Sequence, residues 1–176
     1  MSKKTIRTAN LLGATVLSLH DELRNAVEQQ AGRAGEGPSA IVVVGHQPGI
    51  SNDELSRRLA LSHTGTVRLV DKLVADGLME RRPAPHDGRS IALYLSKLGQ
   101  NERAQILAAR EAAMTQIVAR LDASEQATLQ TLLGKILQTH AHDDEHKLRM
   151  CRLCDGNACG GKRCPIHVSV TENNLQ

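Results

Sequence analysis

The chain has 176 residues and a formal net charge of +3, with 40% hydrophobic and 23% charged residues. It is long enough to bury a core, yet it has no Trp, no Phe and one Tyr, so functions built on aromatic stacking platforms are disfavoured. No apolar run approaches the roughly 18 residues of a membrane span, and no apolar stretch follows the first residues, which points to a cytoplasmic chain without a secretory signal.

Residues 6–31 carry Ile6, Leu12, Val16, Leu19, Leu23 and Val27 at three- and four-residue steps, the pattern of an amphipathic helix. Gly32 to Pro38 is a breaker-rich loop. Residues 39–45 (SAIVVVG) are ambiguous. Their β-branched run leans towards a strand, whereas Pro38 suits the first turn of a short buried helix.

Ser51 with Glu54 three residues on predicts a capped helix over 51–61, with Leu55 and Leu59 inward. Ser62 caps a second helix, 64–76, and Gly77 ends it in the left-handed region. Its inner face combines Val67, Leu69 or Val70 with Leu73 or Val74. Residues 78–82 and 90–96 predict two strands around a turn at Asp87-Gly88. In the second strand Ile91, Leu93 and Leu95 alternate with Ser90, Ala92, Tyr94 and Ser96. A long helix over 98–121 follows. A further helix begins at Asp122 or Ser124, striped by Leu129, Leu132, Leu133, Ile136 and Leu137, and fades in the segment His140 to His146.

Two short helices and a hairpin with a basic end make a winged helix-turn-helix. A helix fits the major groove of double-stranded DNA and its N-terminal side chains reach the base edges. The candidate DNA-binding residues on the second helix are Ser62, His63, Thr64, Thr66, Arg68 and Lys72. Arg81 and Arg82 lie at the hairpin's base and Arg89 at its end, where an Arg can enter a minor groove. Residues 51–97 hold eight Lys or Arg against six Asp or Glu. Binding should therefore depend on placement of charge, with moderate salt dependence.

The run from Ile50 to Leu95 resembles the DNA-binding core of the MarR-type transcriptional regulators. The matching features are ELSRRLALSHTGTVRLVDKLVADG, the strand start LMERR and the wing DGRSIALYLS. Helices before and after extend the resemblance over roughly residues 6–146. It implies a homodimer held by the first and the last two long helices, acting on a palindromic operator. It implies that Arg89 contacts DNA and that Asp87 orients it. It also makes 39–45 a helix, against the local signal. Members of that family bind small anionic effectors, and this chain has few aromatic side chains to line such a pocket.

The expected fold is therefore mainly α with a small β-hairpin wing. Residues 1–37 form an N-terminal dimerisation helix and loop, and 38–97 the winged helix. Residues 98–146 form C-terminal dimerisation helices, and 147–176 a Cys-rich segment and tail.

That last segment carries Cys151-x2-Cys154-x4-Cys159-x4-Cys164. Four clustered thiolates suit a tetrahedral zinc ion, and the spacing is similar to that of zinc knuckles. An iron–sulfur cluster is the alternative cofactor, since Cys164-Pro165 resembles the ending of ferredoxin motifs. A thiol–disulfide switch is a third reading. His140, His142 and His146 could bind a second metal, although a solvated helix end is the simpler reading; His167 is a tail residue. No phosphate loop, metalloprotease motif or nucleophile elbow is present, which argues against an enzyme. The competing function is a metal-dependent protein-interaction adaptor.

Overall fold

The computed structural model describes residues 2–84, 87–156 and 164–166, with the backbone alone at 87–89. Among them run α1 (Lys3–Ala31), α2 (Gly37–His46), α3 (Asn52–Leu59), α4 (His63–Ala75), β1 (Met79–Ala84), β2 (Asp87–Leu95), α5 (Lys97–Val118), α6 (Ala123–His140) and α7 (Asp144–Met150). Mainly helical structure with one antiparallel hairpin is the fold class expected.

Residues 39–45 are helical. The β-branched run is overridden because Pro38 starts the helix and Ile41, Val42 and Val44 are fully buried. A helix that is apolar all round belongs in a core, whatever its local propensity. Around it pack Val27, Leu55, Val70, Leu73, Leu93 and Ile106, drawn from α1, α3, α4, β2 and α5, with Ile50 of the connection before α3.

Helix starts follow the polar residues that precede them. Ser51 Oγ accepts from Glu54 N at 3.2 Å. The Glu54 carboxylate does not close a capping box; it takes Gln47 Nε2 at 2.8 Å and Arg58 at 3.1 Å. Asp122 does form the reciprocal box with Glu125 at the head of α6, and the Glu125 and Ser124 amides hold its carboxyl below the usual range. The turn between α3 and α4 is tight because Ala60 sits at φ 54, an uncommon conformation for a residue with a Cβ.

The hairpin is longer than expected and its alternation is shifted. Leu93 and Leu95 are buried, but Ile91 is 50% exposed and Ala92 is buried instead. The cause is Ile50, which joins β2 as a third edge: Gly49 N donates to Leu93 O at 2.8 Å and Leu93 N to Ile50 O at 2.9 Å. Cover ends at that bridge, and Ile91 lies beyond it.

In this chain α1 and α6 are only partly covered. Leu11, Leu12, Val16 and Leu17 on α1, and Leu132, Leu133 and Ile136 on α6, are exposed. No residue of α6 is buried. The last helix, α7, was not expected. Asp143 caps it by accepting from His146 N at 2.7 Å, and it packs on α3.

Candidate nucleic-acid interface

Helix α4 is set by its cap and by its inner face. Ser62 Oγ accepts from Gly65 N at 3.1 Å, while Val70 and Leu73 anchor the helix in the core. Ser62 is exposed, but its hydroxyl is the N-cap, so its first role is to start the helix. The Ser62→Ala variant should lose about 1 kcal/mol of stability, read as a lower urea midpoint; an unchanged midpoint would show that this cap contributes nothing.

Thr66 corrects the expected contact set. It is fully buried, and its hydroxyl donates to Ser62 O at 3.1 Å. It faces the core alongside Val70, so it cannot reach a base. Thr64, Arg68 and Lys72 are exposed. Their four-residue spacing puts them on one side of α4, along about 12 Å of helix axis. His63 stands beside this row, and its Nδ1 meets Asp53 Oδ1 of α3 at 2.7 Å.

Two of the three hairpin arginines are held within the molecule. Arg81 pairs with Asp71 of α4 at 2.7 Å, a contact that links the wing to that helix. Arg82 pairs with Glu80 at 2.7 Å and lies 4.7 Å from the centroid of the Tyr94 ring. The side chains of Asp87 and Arg89 lie outside the described residues.

Behind α3 is a polar cluster that spacing alone did not reveal. Arg58 is 7% exposed and donates to both Gln47 and Glu54. A buried guanidinium needs such partners. The cluster ties the end of α2 to α3.

The Cys-rich segment reaches the same region. The Cys154 carbonyl accepts from His46 Nε2 at 2.7 Å, and Arg103 approaches His46 Nδ1 at 3.1 Å. Burial pushes the His46 pKa down. Cys151 and Cys154 come together at the end of α7. The Cys151 side-chain hydrogen bond, helped by the Arg110 guanidinium, brings the Cys154 thiol down to about 6. Cys164 is described and half-buried; Cys159 and His167 lie outside the described residues. Among the described residues, no three His, Cys, Asp or Glu side chains are gathered to hold a metal ion. The His140 and His142 rings are 6.3 Å apart by centroid, and His142 and His146 are 5.7 Å apart. No helix of the described residues is long and apolar enough to cross a membrane.

Comparison with known proteins fits this geometry. Residues 39–90 match the model of the MarR family. Over 88 residues the chain is 30% identical to the transcriptional repressor MprA of Escherichia coli K12, covering 50% of each protein. The chain thus spans about half the length of the curated relatives it matches. The crystal structure of RV1404 from Mycobacterium tuberculosis superposes with a TM-score of 0.66 at 24% identity, over 78% of this chain and 94% of that one. A MarR variant from Escherichia coli complexed with operator DNA superposes with a TM-score of 0.57 at 23% identity, over 72% and 93%. Residues 39–90 thus resemble the MarR family, and the chain shares the fold of these solved structures.

Proposed function

We propose that this chain is a transcriptional regulator that binds a palindromic operator as a homodimer. The observation that carries this reading is the row Thr64, Arg68 and Lys72, exposed on a helix braced to a wing by the Arg81–Asp71 ion pair. Such a row can enter a major groove, with Arg68 suited to guanine. Arg89 belongs to the wing strand by its backbone, and the resemblance implies that it contacts DNA. MprA, by its name a transcriptional repressor, and MarR, solved with operator DNA, support the same reading.

The dimer is supported by the uncovered apolar rows of α1 and α6. Contiguous apolar surface of this kind marks an association face. Two copies joined there would present two α4 helices to successive turns of DNA, with half-sites about 34–36 Å apart.

Selection from random duplexes followed by footprinting tests this reading. A twofold-symmetric protected site is expected. Enrichment of no sequence would sink the proposal and favour the adaptor. Arg68→Ala and Arg89→Ala should each weaken operator binding by about 1–3 kcal/mol while the dimer stays intact, and Arg68→Ala should also relax the choice of base. Fluorescence anisotropy with analytical ultracentrifugation measures both effects. Unchanged affinity removes the residue concerned from the interface.

A further inference from the structure

The winged helix does not use Cys151 and Cys154, yet they stand at the point where the tail meets it. Cys151 follows α7 as its C-cap. Cys154 N donates to Cys151 O at 2.9 Å, closing a turn that lays one thiol against the other. Arg110 of α5 hydrogen-bonds the Cys154 sulfur. Four further contacts seat this turn. Leu153 packs on the core, the Cys154 carbonyl takes His46, Arg152 faces Glu36 at 3.6 Å, and α7 lies on α3.

We propose that Cys151 and Cys154 are a redox modification site, oxidised by a peroxide to a disulfide that loosens the tail from the winged helix. The effect on operator affinity rests on the DNA-binding reading; the chemistry and the loosening do not. The Cys154 sulfur attacks the peroxide. Its S–O bond forms as the O–O bond breaks, and hydroxide leaves to become water with the thiol proton. The Cys151 sulfur then attacks the sulfenic sulfur. The S–S bond forms, the S–O bond breaks, and the second hydroxide leaves as water with the Cys151 proton. Two thiols and one hydrogen peroxide give one disulfide and two waters. The Arg110 guanidinium stabilises negative charge on the attacking sulfur.

The consequence is geometric. Thiols in hydrogen-bond contact must close to about 2.05 Å with a set torsion. That closure turns the Cys154 sulfur away from Arg110 and twists the turn whose carbonyl holds His46. A disulfide sulfur is uncharged and a poor acceptor, so the anchor on α5 is lost. Helix α7 and α3, which pack on each other, then lose that support.

Full-length protein, reduced and then treated with hydrogen peroxide, provides the test. Intact mass should fall by the two hydrogens lost, with peptide mapping placing one disulfide at Cys151–Cys154, reversible by dithiothreitol. Hydrogen exchange should quicken across 144–155 and α3. Operator affinity should fall at least about fivefold, the low end of typical allosteric couplings. The Cys151→Ser variant should stop at a sulfenic acid on Cys154, trapped by dimedone, with no change in exchange. A disulfide at another pair, thiols shielded by a stoichiometric metal, or a correct disulfide with unchanged exchange would each overturn the proposal. Faster exchange with unchanged operator affinity would overturn the coupling to DNA. If the reduced protein binds no DNA, the regulator reading fails while mass and exchange still decide this one.

Discussion

Gly99→Ala is expected to destabilise the protein by about 3 kcal/mol or more, at the upper end of overpacking costs. A Cβ at Gly99 would stand 2.0 Å from the Leu78 carbonyl oxygen and 3.0 Å from its carbon. Those are backbone atoms, so no side chain can swing aside. The joint is also tied by hydrogen bonds. Ser96 Oγ donates to Gly77 O at 2.6 Å and accepts from Gly99 N at 3.0 Å, and Ser96 N donates to Leu78 O at 3.1 Å. Alanine is the better helix former by about 1 kcal/mol, so propensity predicts the opposite sign. Urea unfolding separates the two effects. Gly134, where a Cβ would rest 3.9 Å from Pro165 Cβ, is the control, and its alanine variant should be neutral or stabilised. A Gly99→Ala protein as stable as its parent would mean that α5 can slide along the hairpin. On the proposed DNA-binding reading, operator affinity should fall in parallel, because this joint sets the wing against the long helix.

Leu93→Ala should cost about 2–5 kcal/mol, the range for emptying a buried leucine site. Leu93 is fully buried, and its backbone carries both hydrogen bonds of the Ile50 bridge. Its side chain lies in the cluster with Leu55 and Ile106. The surrounding atoms come from several elements, so the cavity cannot collapse by moving one of them. Leu93→Met, which nearly conserves volume, should lose less than about 1.5 kcal/mol. Chemical denaturation of both variants decides the matter. Equal midpoints for Leu93→Ala and the parent would show that the side chain is not a core contact.

The parts of the fold readable in advance were those whose causes are local. Ser51, Ser62 and Asp122 each offer a side-chain oxygen to an amide two or three residues on, so the caps fall where the residues do. Gly77, at φ 71, ends α4 for a reason internal to its own backbone. The misread features depend on residues far away in the chain. Thr66 looked like a groove contact because threonine is polar; its burial depends on how α4 is rotated against the core. Ile91 looked like an inward residue because it alternates with Leu93 and Leu95; its exposure depends on where Ile50 stops covering β2. His46 and Cys154 are 108 positions apart, and no local pattern links them. That Thr64, Arg68 and Lys72 share an exposed side of α4 was legible from helical spacing, whereas the pairing of Arg81 with Asp71 required the hairpin's path.

The uncovered apolar row on α1 has a consequence during synthesis. Helix α1 ends at Ala31, and α6 begins at Ala123. At roughly 5–20 residues per second, about 5–20 s separate their emergence from a ribosome. Throughout that interval the segment carrying Leu11, Leu12, Val16 and Leu17 is outside the ribosome with its apolar row uncovered. Neighbouring nascent chains on one message would carry the same row at the same time, so pairing can begin before either chain is finished.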